Sequence, residues 1–115
     1  MQVGIDIVEN KRIKLKEKFI RHLLSIDELE IFHSLTNKKR QREFLAGRWA
    51  VKEAIFKAQV HHFPVSQINV VNDEKGRPYL KNEQLKQITI SISHEKKYTV
   101  AMAINEEKQM DRKDK

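Results

Sequence analysis

The sequence predicts a single α+β domain, on three observations. Strand-like alternation opens the chain in QVGIDIVE, helical patterning follows as far as the region before Pro64, and the remainder from QINVVND onward is rich in period-two alternation. Helical and strand patterns that occupy separate stretches, rather than taking turns, point to an α+β arrangement and away from a parallel βαβ sheet. A length of 115 residues without a Gly-, Pro- or Ser-rich linker suits one domain with a modest core, for which self-association would add burial.

Taken in order, residues 2–8 form a strand with Val3, Ile5 and Ile7 on one face and Gly4, Asp6 and Val8 on the other. From about residue 10 to 22, Ile13, Phe19, Ile20 and Leu23 are spaced only loosely as a helix, and the opposite side carries Lys11, Arg12, Lys14, Lys16, Lys18 and Arg21. Ser25 followed by Glu28 is a capping-box signature and opens the short helix SIDELEIFHSL, with Leu29, Phe32 and Leu35 facing inward. Thr36 or Asn37 caps the longest helix, which runs to about Gln59 and cannot pass Pro64. Between Phe44 and Ala58 ten residues are apolar, one is Gly47, and only Arg48, Lys52, Glu53 and Lys57 are charged, so protein should surround this helix on most sides. At about 100° per residue, Glu53 and Lys57 fall on one side and Arg48 with Lys52 on another.

The turn residues from Asp73 to Gly76 then lead into a short strand at Tyr79 and Leu80, as in a hairpin. QITISIS alternates Ile88, Ile90 and Ile92 against Thr89, Ser91 and Ser93, HEKK connects, and YTVAMAI closes the sheet, leaving His94 at a strand end. Residues 1–105 are read as the domain and 106–115, with mixed charge and no apolar period, as a flexible tail.

Composition narrows the chemistry. With no cysteine there is no disulfide, thiolate zinc site or cysteine nucleophile, as suits a reducing cytoplasm. The start of the chain lacks the pattern of a secretory signal, and no run reaches the roughly 20 apolar residues of a membrane span. A formal net charge of +7 favours polyanionic partners.

Asp6, Glu53 and His94 each interrupt or end an apolar run, where an unpaired charge is costly. Two readings of the carboxylates stand side by side. Brought together, Asp6 and Glu53 can hold magnesium, which takes one or two protein carboxylates plus waters and phosphate oxygens; apart, Glu53 pairs with Lys57 one turn on and Asp6 caps a helix. Likewise Lys57, Lys52 and Arg48 either surround a phosphate or lay their stems along apolar surface. His94 either meets a phosphate or is satisfied by backbone. Trp49 reads as core, His61 and His62 lack a carboxylate at ligand spacing for zinc, and no nucleophile with an adjoining base marks a hydrolase.

Four passages, GIDIVE, EFLAGRWAVKEAIFKA, NDEKGRPYL and SISHEKKY, occur in an order that resembles the holo-acyl-carrier-protein synthases, the small bacterial 4′-phosphopantetheinyl transferases of fatty-acid synthesis. The resemblance implies a small antiparallel sheet packed against helices, a cytoplasmic homotrimer, and active sites at subunit boundaries. It implies that Asp6 and Glu53 bind magnesium against the pyrophosphate of coenzyme A, with Lys57 completing the catalytic set. Arg48 and Lys57 would contact phosphate, and His94, in the S-x-S-H motif, would lie near coenzyme A. A serine of apo acyl carrier protein would attack the β-phosphate and 3′,5′-ADP would leave. The acidic carrier would dock on Arg12 and Arg21, supported by Lys14 and Lys18. One departure is QVHHFPVS after the long helix, where many relatives carry a glycine-containing loop near the cofactor. The alternative is a basic nucleic-acid-binding module without catalysis, using residues 11–21 and 38–42; it lacks a recognition helix and leaves Asp6 and Glu53 unexplained.

Overall fold

Asn37 starts the element that organises the molecule: its side-chain oxygen accepts from the backbone N–H of Lys39 at 2.8 Å and Arg40 at 3.1 Å, opening a 20-residue helix. The structure, a computed structural model, describes residues 1–106. In chain order it contains β1 (Gln2–Glu9), a 3-10 turn (Asn10–Arg12), α1 (Glu17–Leu23), α2 (Ile26–Ser34) and the long α3 (Lys38–Lys57). A second 3-10 turn (Val65–Gln67) precedes β2 (Val70–Asn72) and β3 (Pro78–Leu80), and a third (Glu83–Leu85) precedes β4 (Ile88–His94) and β5 (Tyr98–Asn105). The α+β class is thus as the sequence predicts.

β1, β5 and β4 form an antiparallel sheet in that order, with Asp6 opposite Ala101 and His94 opposite Thr99. β2 and β3 make a separate hairpin whose turn places Gly76 at φ +83, and Asp73 Oδ1 accepts from the backbone of Lys75 and Arg77, both at 2.9 Å. α3 lies across the sheet, and the core between them holds Val51, Ile55, Ile68, Val70 and Leu85. A second cluster joins α1, α2 and the first half of α3 through Ile20, Leu23, Phe32 and Leu45. Each such side chain contributes about 1.5–3 kcal/mol on burial. The loosely patterned segment after β1 is therefore half turn and half helix, held by Ile13, Ile20 and Leu23.

The faces of β1 are unequal in an unexpected way. Gly4, Asp6 and Val8 turn toward α3, while Val3, Ile5 and Ile7 are 50%, 55% and 61% exposed. Gly4 is required by this approach, because a Cβ there would fall 1.9 Å from the Ala54 carbonyl oxygen. Across the ladder Val3 pairs with Ile104, Ile5 with Met102 and Ile7 with Val100, so six apolar side chains share the outward face of β1 and β5.

α3 stops as Gln59 takes a left-handed φ of 73, the position where glycine is the usual helix terminator. QVHHFPVS follows from there. At the other end of the fold, Glu106 N donates to Gln87 O at 3.0 Å; the rest of the expected tail, 107–115, lies outside the described residues.

Candidate active site

Asp6 projects from β1 toward the last turn of α3, where Lys57 Nζ meets its Oδ1 at 3.0 Å and the Ile5 carbonyl at 3.2 Å. The Asp6 side chain is mostly covered and the Lys57 side chain is about half exposed. Lys57 and Asp6, with Ile5, Ile7 and Val100, line a cavity of about 290 Å³ that opens at the β1 edge of the sheet. Glu53 lies one turn before Lys57, half-buried, with no hydrogen bond or ion pair to any described residue. The helical Glu53–Lys57 pair that the spacing allows is not formed; Lys57 reaches across to the strand instead.

Arg48 and His94 occupy a second cavity of about 400 Å³, together with Arg40, Glu43, Phe44 and Asn72. Arg48 is buried: its Nη2 donates to Val70 O at 3.0 Å and to Asn72 Oδ1 at 3.5 Å, and its guanidinium stands 4.3 Å over the Phe44 ring. Its Nε has no hydrogen-bond partner, although Glu28 Oε2 is 3.8 Å away. Burial holds the Arg48 pKa below its ordinary value, with Glu28 pulling it back. The His94 ring rests on Gly47, whose missing Cβ would lie 3.0 Å from Cε1 and 3.2 Å from Nε2. Loss of water there depresses the His94 pKa; Glu43 opposes the shift and Arg48 adds to it. Asn72, at the end of β2, was not anticipated from the sequence, and Arg40 was read only as part of the basic run 38–42 of the nucleic-acid alternative; a single polar residue at a strand end carries no periodic signal.

Lys52 departs from the phosphate reading. Its Nζ donates to Leu23 O at 2.8 Å, Val65 O at 3.0 Å and Glu28 Oε1 at 2.7 Å, which uses all three ammonium hydrogens inside the protein. Glu28, read from the sequence only as half of a capping box, makes that box with Ser25 and also accepts from Val70 N at 2.7 Å through its second oxygen. Lys52 and Glu28 thus tie α2, α3 and β2 together and leave the phosphate reading to Lys57 and Arg48. These two lie nine residues apart, hence about 180° around α3 and on opposite sides of it.

Of the expected docking cations, Arg12, Lys14, Lys18 and Arg21 are all exposed. Arg12 rims a cavity of about 340 Å³ with Ile7, Phe19 and Trp49, where the Phe19 and Trp49 rings pack 5.7 Å apart. Arg21 Nε is paired with Glu17 Oε2 at 2.6 Å, which offsets part of its charge.

The profile describing the 4′-phosphopantetheinyl transferase superfamily matches residues 2–104. This chain belongs to that superfamily. Within it, the chain is 54% identical to the holo-[acyl-carrier-protein] synthase of Mycoplasma capricolum over 106 residues, covering 90% of this chain and 93% of the relative. It is 40% identical to the synthase of Petrotoga mobilis over 112 residues, covering 89% and 92%. Among solved structures, the holo-(acyl-carrier-protein) synthase of Bacillus anthracis in complex with CoA (3′,5′-ADP) superposes with a TM-score of 0.80 at 36% identity, covering 89% of this chain and 92% of that one. The fold class expected from the resemblance is therefore that of the superfamily's solved synthases.

Proposed function

We propose that this protein transfers the 4′-phosphopantetheine group of coenzyme A to a serine of apo acyl carrier protein, using Asp6, Glu53 and Lys57 at the C-terminal end of α3 and Arg48 and His94 beside its middle, on the opposite side. The synthase relatives, one of them solved with CoA, support the reaction. The single observation that carries the site is Glu53: a half-buried carboxylate with no partner among the described residues, one turn from a lysine that already serves Asp6.

Two carboxylates fit magnesium by the chemistry of their donors, because hard oxygen ligands suit it and waters and phosphate oxygens fill its remaining positions. Among the described residues no three His, Cys, Asp or Glu side chains converge, and the metal is assigned to the two carboxylates Asp6 and Glu53. Bound there, magnesium would supply charge neutralisation for the transferring phosphoryl group. Lys57, about half exposed beside Asp6, adds a cation at the same place. The carrier serine hydroxyl gives its proton to water as its oxygen bonds to the β-phosphorus, the pyrophosphate bridge breaks, and the electron pair of that bond leaves with 3′,5′-ADP.

Because Arg48 and Lys57 face opposite sides of α3, a cofactor bound between two copies of the chain would meet Lys57 of one and Arg48 of the other. The outward face of Val3, Ile5, Ile7, Val100, Met102 and Ile104 supports such packing, since contiguous exposed apolar surface marks an interface. Three copies join there, with the Asp6 cavity at the boundary. The acidic carrier docks on Arg12, Lys14, Lys18 and Arg21. No helix of the described residues is long and apolar enough to cross a membrane; the absence of cysteine suits the cytoplasm as the place of reaction. A nucleic-acid role gives Glu53 nothing to do.

The test is to incubate the protein with coenzyme A, magnesium and an apo carrier protein and weigh the carrier. A mass gain equal to phosphopantetheine is expected, and an unmodified carrier under these conditions would overturn the reading.

A further inference from the structure

Two buried polar side chains, Asn10 and Thr99, remain outside the chemistry above. Asn10 is 7% exposed and Thr99 is fully enclosed, at a place that an apolar pair could fill without hydrogen-bond obligations. Their bonds run in one direction. The Asn10 amide nitrogen faces two backbone carbonyls, Glu95 O at 3.2 Å and Lys96 O at 3.4 Å, which fixes the amide with its oxygen on the other side. That oxygen receives the Thr99 hydroxyl hydrogen at 2.7 Å. Having given away its only hydrogen, Thr99 Oγ1 can act toward His94 Nδ1, 3.0 Å away, only as an acceptor. His94 must therefore carry its hydrogen on Nδ1, and Nε2 is the nitrogen left beside Gly47 in the cavity of Arg40, Glu43, Arg48 and Asn72.

We propose that Asn10 and Thr99 are positioning residues for His94, fixing it as the Nδ1–H form and presenting Nε2 to coenzyme A. The role rests on the proposed function, in which His94 contacts the cofactor. The relay works in both charge states: neutral His94 offers Nε2 as an acceptor, and a phosphate drawn in by Arg40 and Arg48 favours protonation of Nε2, which then donates while Nδ1–H stays with Thr99. Glu43 is the one carboxylate lining that cavity and favours the same protonation.

The experiment uses the full-length protein with ¹⁵N-labelled histidine, His94 being assigned through His94→Gln. Above neutral pH the wild type is expected to show Nδ1 protonated. Thr99→Val keeps the volume and removes the acceptor; it should release the tautomer and raise the KM for coenzyme A about tenfold with kcat little changed. Thr99→Ser should restore both. Asn10→Ala frees the Thr99 hydroxyl to donate to His94 and should turn the ring to the Nε2–H form. A wild type found as Nε2–H, or a tautomer indifferent to both Thr99→Val and Asn10→Ala, overturns the relay. A tautomer that moves while the KM does not overturns the positioning role. Absence of transfer by the wild type instead counts against the proposed function, and the spectra still decide the relay.

Discussion

Lys57 lies against Asp6, 3.0 Å from Oδ1, and the carboxylate one turn before it on the same helix, Glu53, has no partner among the described residues. Lysine and aspartate from the two ends of a strand–helix contact thus hold each other in place, while Glu53 is held only by its backbone. A carboxylate that contributes no bond to the fold is expected to matter for chemistry and not for stability. Glu53→Gln should lower transfer about a hundredfold or more, the scale seen when one electrostatic contact is removed from a phosphoryl or acyl transfer site. Unfolding in urea should move by no more than about 0.5 kcal/mol. Carrier mass and the urea midpoint, measured on one preparation, check both halves.

Gly4 makes the opposite prediction. A methyl group there would enter the backbone of α3 at Ala54 and Ala58, and neither side can yield as a side chain would. Gly4→Ala should cost about 1–3 kcal/mol or more and push β1, with Asp6, away from Lys57. Urea unfolding and transfer rate are expected to fall together, unlike in Glu53→Gln.

Lys52→Met would leave Glu28 as a fully enclosed carboxylate facing only Arg48 and two backbone N–H groups. Breaking a buried pair on one side costs about 3–5 kcal/mol, whereas removing both charges costs much less. The double variant Lys52→Met/Glu28→Gln should therefore be more stable than Lys52→Met alone. A double-mutant cycle from urea midpoints reads this directly.

His94 has a pKa below its ordinary value in the folded chain, so in the window under about 6.5 the unfolded chain binds the extra proton first. Stability should be fully present above that pH and decline as pH falls through it toward the folded pKa. In His94→Gln the decline should flatten between pH 5 and 7. Urea midpoints across pH 5–8 for both proteins test the sign.

Ile5→Lys places a charge in the middle of the outward apolar face, on a strand residue that is more than half exposed. Sedimentation should show a trimer for the wild type and a monomer for the variant. Far-UV dichroism should be unchanged, and transfer should be lost with the boundary site.

What the sequence made legible follows distance along the chain. The Ser25–Glu28 box, the Asn37 cap, the Asp73–Gly76 turn and the strand alternation are local, and each is found where its residues predict. The split of the four α3 charges into two sides was also readable, because helix geometry alone decides it. Partners far apart in sequence were not readable. For Lys52 the phosphate and packing readings stayed side by side, because nothing nearby announces Glu28, Leu23 and Val65 as its acceptors. Asn10 and Thr99 are 89 positions apart and meet only through the sheet. In β1 the alternation fixed two faces but not which one is inward: Gly4, the residue without a side chain, chose it by allowing the closest approach to the helix.

The order of strands has a consequence for biosynthesis. Among the described residues β1, which carries Asp6, pairs with no strand but β5, whose residues emerge from the ribosome about a hundred positions later. Helices α1 to α3 can begin to associate on a nascent chain, yet the strand that brings the first carboxylate has no hydrogen-bonding template until β5 has been made. Placement of Asp6 against α3 therefore waits on β5, and a product shortened before Tyr98 would lack the strand that holds β1 in the sheet.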